Sequence, residues 1–275
     1  MHAGHRSPEA PARSPYVDRW TLVGLVLLLS PLLTMAHELL GHALTCVVSG
    51  HRPSELGAYY VECPATGPAA RRLVAMAGTG IDLVVAGLAY LAWRVARAPL
   101  LRLALWITFT VKAMVAAGYW LFSGVIGLGD WSPVGDGGLA PLPHPWLWRL
   151  ALTAVGLAGY LGAIRLANRS IDAMLGGGAA ARATRVRIAM STYWIGGAGA
   201  LLVSLFNPHG LVITLISAMA STFGGTAGLF NVAYRATPEV PPGQLVIDRH
   251  PALLVAGAAA MTAFAAVLGP TVYLR

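Results

Sequence analysis

Seven stretches of this 275-residue chain are apolar for roughly twenty residues each, long enough to cross a hydrocarbon core about 30 Å thick. The first begins at Trp20 and continues past His37 to about Val48. The others lie near 72–93, 100–128, 146–168, 187–206, 210–234 and 250–270. Only 11% of the residues are charged, less than half the share of about 25% usual in soluble domains. That composition excludes a disordered chain and an ordinary water-soluble globule. The expected fold class is therefore all-α, a polytopic membrane bundle of about six or seven transmembrane helices. The sixth stretch is the most polar. Its Ser221, Thr222, Gly224, Gly225 and Gly228 read as a small-residue face buried between helices.

Charge placement orders the chain across the membrane. The formal charge is +8, but the cations sit at the edges of apolar runs, as helix anchors at lipid headgroups do. They form no basic stripe with interleaved aromatics, which excludes a nucleic-acid partner. Arg94, Arg97 and Arg102 flank the second connection, and Arg165, Arg169, Arg182, Arg185 and Arg187 the fourth, against Asp172 alone. The third connection, 129–145, carries Asp130 and Asp136 without a cation. The positive-inside bias then puts the N-terminus in the cytoplasm and residues 129–145 outside. Residues 1–19, polar and proline-rich, read as a flexible cytoplasmic tail, and their length ahead of Trp20 favours a retained helix over a cleaved leader. Cys46 and Cys63 suggest no disulfide framework. Arginine in place of lysine, with abundant alanine and glycine, points to a GC-rich bacterial genome and hence a plasma membrane.

The chemistry concentrates in Ala36-His37-Glu38-Leu39-Leu40-Gly41-His42-Ala43-Leu44, inside the first run. Ionisable groups are costly in lipid and mark functional sites there. Imidazole is a common zinc ligand, and a nearby carboxylate can take a proton from an activated water. His37 and His42 are five residues apart, which an ideal α-helix places about 140° apart. A π-bulge would return them to one face, and Gly41 eases such a distortion. Alternatively Glu38 and His42, four apart, bind a metal together. Asp82 and Lys112, the only lysine, are the other charges inside spans. They should pair with each other, or one should contact the metal site. His209, and less so His51, His144 and His250, are further candidate ligands at helix edges.

These residues resemble the site-2 protease family of intramembrane zinc metallopeptidases, whose first core helix reads H-E-x-G-H-A. Ala77-Gly78-Thr79-Gly80-Ile81-Asp82 resembles the A-G-P-x-x-N of that family's next helix, with Asp82 in place of asparagine. Phe122 to Trp131 stands where members carry L-D-G, without its prolines. The resemblance covers about residues 30–135. It implies Zn²⁺ held by His37, His42 and Asp130, with Asp136 as the alternative third ligand and Glu38 as general base. It also implies a metallopeptidase-like core over 20–135, additional helices 4–7 over 136–275, and a membrane-protein or peptide substrate. In that family a strand or hairpin after the first helix lines the active site, and Tyr59–Val61 has strand character. The extra residue in the histidine motif leaves two other functions open. One is a catalytically inactive scaffold or regulator with the same fold. The other is a metal-dependent membrane enzyme acting on a lipid or small substrate.

Overall fold

The computed structural model describes residues 14–64, 67–135, 137–140, 142–211, 213–236, 240–241, 243 and 245–274. Among them, six helices are long and apolar enough to cross a membrane: α1 (Arg19–Val48), α2 (Pro68–Val95), α3 (Pro99–Val125), α4 (Pro145–Leu175), α5 (Gly178–Ser204) and α7 (Pro251–Leu268). Four of them start on proline, whose missing N–H costs nothing at a helix N-terminus. Asp18 caps α1 by accepting from the backbone N–H of Trp20 and Thr21. Between α5 and α7 the chain returns through a π-helix, Ile213–Gly224, and a short helix α6, Leu229–Tyr234. The chain is thus an all-α polytopic helix bundle, as its hydropathy pattern demands.

Apolar side chains gain little from meeting each other in lipid, so close backbone approach has to hold the helices together. Glycines supply it. A Cβ on Gly257 of α7 would lie 2.1 Å from the Gly24 carbonyl oxygen of α1. One on Gly156 of α4 would lie 2.5 Å from the Leu121 nitrogen of α3. Trp106, Phe109, Leu22, Ile171 and Ile188 fill the interior, while Leu88, Leu91 and Leu202 face outward.

The connection expected to carry five arginines is only a tight turn at Gly176 and Gly177. Those arginines lie on α4 and α5 instead. Arg185 is fully buried and pairs with Asp172. The positive charge remains at that end of the bundle, because both helices extend beyond the apolar run that betrayed them.

Two small sheets brace the ends. At the arginine end, β1 (Tyr16–Val17) pairs in parallel with β4 (Val246–Ile247). Most of the expected tail lies outside the described residues, and its last part is this strand, with Val17 buried. At the other end, β3 (Val61–Glu62), β2 (Glu55–Leu56) and β5 (Val272–Tyr273) form an antiparallel sheet in the order β3-β2-β5. The hairpin expected after the first helix is therefore present, with the C-terminal strand added to it. The reading of the cysteines needs correction, because Cys46 and Cys63 form a disulfide that ties β3 to the last turn of α1. Seventeen residues separate them, and a hairpin brings them together, which spacing alone did not reveal.

Closing a loop of that length restricts the unfolded chain by about 3 kcal/mol. The double variant Cys46→Ala/Cys63→Ala should lose about that much stability in detergent. Unfolding of oxidised wild type beside the variant measures it, and equal midpoints would show that the hairpin is held by its sheet alone.

Candidate metal centre

Residues Ala36–Ala43 of α1 are wound as a π-helix, which closes i→i+5 hydrogen bonds. Residues five apart then stack on one face, and this answers the odd spacing of the histidines. His37 Nε2 and His42 Nε2 lie 3.1 Å apart, and both residues are buried. The alternative of a Glu38–His42 pair without His37 is not what forms.

Asp130 completes the group. Beyond the end of α3, Gly127 and Gly129 adopt left-handed φ of 82° and 88° and swing the chain back over the site. Ser132 donates its hydroxyl to the Gly127 carbonyl at 2.7 Å, and Gly138 N–H donates to the Asp130 carbonyl at 2.8 Å, which fixes the loop. Asp130 Oδ2 thereby comes to 3.4 Å from His37 Nε2 and 3.5 Å from His42 Nε2. Asp136, the alternative third ligand, lies outside the described residues.

Hydrogen bonding on the far side of each ring decides what the near side can do. His37 Nδ1 lies 2.9 Å from Asp82 Oδ2, and His42 Nδ1 lies 2.7 Å from the Val74 carbonyl. Neither partner can donate, so both Nδ1 atoms carry the hydrogen. In their neutral form the two rings then aim Nε2 lone pairs at each other and at a carboxylate oxygen. Three acceptors at 3.1–3.5 Å repel unless a cation lies among them. Tetrahedral ligands about 2.0–2.2 Å from a zinc-sized ion are about 3.3–3.6 Å apart, close to these edges. His37, His42 and Asp130 can therefore hold a metal ion.

Helix α2 supports the centre with one face, where Val74, Gly78 and Asp82 repeat every four residues. Gly78 brings bare backbone against the rings, since a Cβ there would lie 2.4 Å from His37 Nε2 and 2.5 Å from His42 Nε2. Gly41 serves the same approach from α1, where a Cβ would lie 2.6 Å from the Gly78 Cα. Asp82 Oδ1 accepts from Lys112 Nζ at 2.5 Å, so both sequence expectations for these charges hold at once. They pair, and Asp82 also orients a ligand ring, as carboxylates behind metal-binding histidines do.

Glu38 is buried, and its Oε2 has no hydrogen-bond partner among the described residues. It opens on a cavity of about 660 Å³, lined by the histidines, Asp130, Tyr59, the β3 residues Val61 and Glu62, and Ile216 and Ser217 of the second π-helix. Burial and the Glu38 charge push the Tyr59 hydroxyl up, which keeps it a neutral donor beside the carboxylate. Tyr119, not singled out from the sequence, stacks on the His37 ring at 5.0 Å between centroids. The signal available for it was its place seven residues, two helical turns, after Lys112. His209 takes no part, because it bonds Glu55 at 2.8 Å. Nor do His51, His144 and His250 join the group. Comparison with known protein families, curated proteins and solved structures finds no match to this chain.

Two substitutions that leave every ligand in place should weaken metal binding. Gly78→Ala puts a methyl group against the ligand nitrogens and should lower affinity at least tenfold in a chelator competition, although alanine is the better helix former. Asp82→Ala frees the His37 ring and should cost about 10–100-fold. Wild-type affinity in Gly78→Ala would place the metal elsewhere.

Proposed function

We propose that this chain is an integral membrane zinc metalloprotease that hydrolyses peptide bonds in or near the bilayer. The single observation that carries the reading is the buried, unpartnered Oε2 of Glu38 beside three converging ligand atoms. A carboxylate left without a partner in such a place is costly, and a proton-transfer role at a metal site gives it one. Two imidazoles and one carboxylate are also a donor set that leaves a zinc position open for catalysis. Zinc bound there supplies Lewis acidity, which makes water a nucleophile near neutral pH and polarises a carbonyl.

The chain's own residues supply the rest. Glu38 accepts a proton from the attacking water as the new C–O bond forms. It then returns that proton to the nitrogen as the C–N bond breaks. Asp82 and the Val74 carbonyl keep the ligand rings in the required tautomer, and Tyr119 limits the His37 ring to one orientation. Strand β3 is the outer strand of its sheet and lines the cavity, so its free edge can receive an extended substrate as one more strand. A helical substrate must first unwind, because a helix occupies its own carbonyls.

In this reading the protein sits in a plasma membrane with its N-terminus in the cytoplasm and the metal centre toward the outer face. Two independent features support that orientation. Arg165 and Arg169 of α4 and Arg182, Arg185 and Arg187 of α5 gather at the end of the bundle away from the site. The Cys46–Cys63 disulfide lies at the site end, and disulfides persist on the oxidising side of a membrane.

The test is hydrolysis of membrane-spanning model peptides by zinc-loaded protein in detergent or liposomes. Glu38→Gln should retain zinc and lose about 10³-fold in rate, within the range of a lost general base. Undiminished cleavage by Glu38→Gln would overturn the assignment. Zinc binding without cleavage would favour the scaffold, and a lipid product would favour a lipid-directed enzyme.

A further inference from the structure

A second, smaller cavity adjoins the metal centre from the bilayer side. Its volume is about 80 Å³, and it shares His37, Glu38, Tyr59 and Tyr119 with the outer cavity. Glu38 therefore stands at the junction of two spaces. From there its lining extends along α1 as far as Val26.

The wall contains eight hydroxyl side chains, Tyr59 and Tyr119 where it meets the outer cavity and six serines and threonines over the rest, and the bonding of those six decides what the cavity can hold. Ser30 donates to the Val26 carbonyl at 2.8 Å, Thr34 to Ser30 at 3.0 Å and Thr192 to Ile188 at 2.8 Å. Thr222 donates to Ala218 at 2.5 Å, Thr226 to Thr222 at 2.6 Å, and Ser221 to the Ser217 carbonyl. Every one is committed to the carbonyl four residues back on its own helix, a local bond that such residues form readily. Lys112 is committed to Asp82. A file of water would find few free donors here. Apart from His37, Glu38, Tyr59 and Tyr119 at the junction with the outer cavity, the remaining wall, including Leu29, Leu33, Ile107, Val111 and Val115, is aliphatic.

We propose that this cavity is a specificity pocket for an aliphatic side chain, of leucine or methionine size, on the substrate residue next to the scissile bond. The inference rests on the protease reading for its substrate class. Its volume is about half that of a 150 Å³ cavity that holds benzene, which suits three or four carbon atoms in a chain and excludes an aromatic ring. Gly196 of α5 forms part of the wall, and a Cβ there would meet only Ser30 Oγ at 3.6 Å, an ordinary contact. A larger residue at 196 can therefore fill the pocket without breaking the helix packing. Val111, also in the wall, can be trimmed to enlarge the space.

Peptidyl hydroxamates, which chelate zinc, serve as probes for binding to the zinc-loaded protein. The residue beside the chelating group is varied through alanine, valine, leucine, norleucine, phenylalanine and tryptophan. Leucine and norleucine should bind at least tenfold tighter than alanine, tryptophan or phenylalanine, the size of effect that burial of a butyl group gives. Gly196→Leu should erase that preference, whereas Val111→Ala should admit phenylalanine. Zinc content per chain confirms that each variant is folded. A flat series, the absence of binding, or a preference untouched by both variants overturns the pocket. Affinity that keeps rising in straight alkyl hydroxamates up to twelve carbons overturns it too, in favour of a lipid acyl chain. Graded binding without peptide hydrolysis keeps the pocket and removes the peptidase, and hydrolysis with a flat series does the reverse.

Discussion

The convergence of His37, His42 and Asp130 depends on one local departure from α-helical geometry, the π-turn at Ala36–Ala43. In an α-helix the two rings would diverge and Asp130 would meet only one of them. The wider turn puts both Nε2 atoms 3.1 Å apart, and the glycine contact between Gly41 and Gly78 lets α2 close behind them. Such a turn loses hydrogen-bond quality and backbone packing, so it persists where surrounding contacts or a bound ligand over-determine it. Here the contacts are visible. Asp82 holds one ring, the Val74 carbonyl the other, and Tyr119 covers His37. A second π-helix, Ile213–Gly224, lines both cavities from across the bundle, so the two least regular helical segments face the same chemistry.

What could be read in the sequence divides along physical lines. Span count and fold class were legible, because burial in lipid demands long apolar runs that nothing else imitates. His37 and His42 were legible because ionisable residues are rare in such runs, and the one-residue excess between them made a π-turn one of two readings, whereas Asp130 came only from the family resemblance, with Asp136 as its alternative. Features that depend on distant parts of the chain left no such trace. The Cys46–Cys63 bond needs the β2–β3 hairpin, and β5 reaches that hairpin from the far end of the chain. Gly78 stood out only as part of the Ala77–Asp82 resemblance, and only the fold shows that the ring nitrogens of His37 and His42 occupy the space of its absent side chain. The arginine-rich fourth connection misled because hydropathy locates the apolar stretch of a helix, while α4 and α5 run on past it as polar helix.

The split between a core over 20–135 and added helices beyond it matches the ligands but not the walls. All three ligand residues and Glu38 come from α1 and the loop after α3. The outer cavity, however, is closed by Ile216 and Ser217, and the sheet beside it is completed by Val272 and Tyr273. The later helices thus determine what can reach the centre, while the earlier ones determine what the centre can do.

Charge balance explains the pair that most departs from the resembled family. Asp82 stands where an asparagine is expected, and the change adds a negative charge to a buried cluster that already holds Glu38 and Asp130. In a low-dielectric interior an uncompensated carboxylate is expensive, and its neutralisation by a partner at contact distance is the usual remedy. Lys112, the only lysine in the chain, supplies that partner at 2.5 Å. With a divalent ion among the ligands, one lysine and the ion together balance three carboxylates. The cluster is then neutral as a whole, although each member is charged. Asparagine behind His37 would need no lysine, so Asp82 and Lys112 are best understood as one unit. The carboxylate holds the ligand ring more strongly than an amide can, and the ammonium makes that carboxylate tolerable inside the bundle.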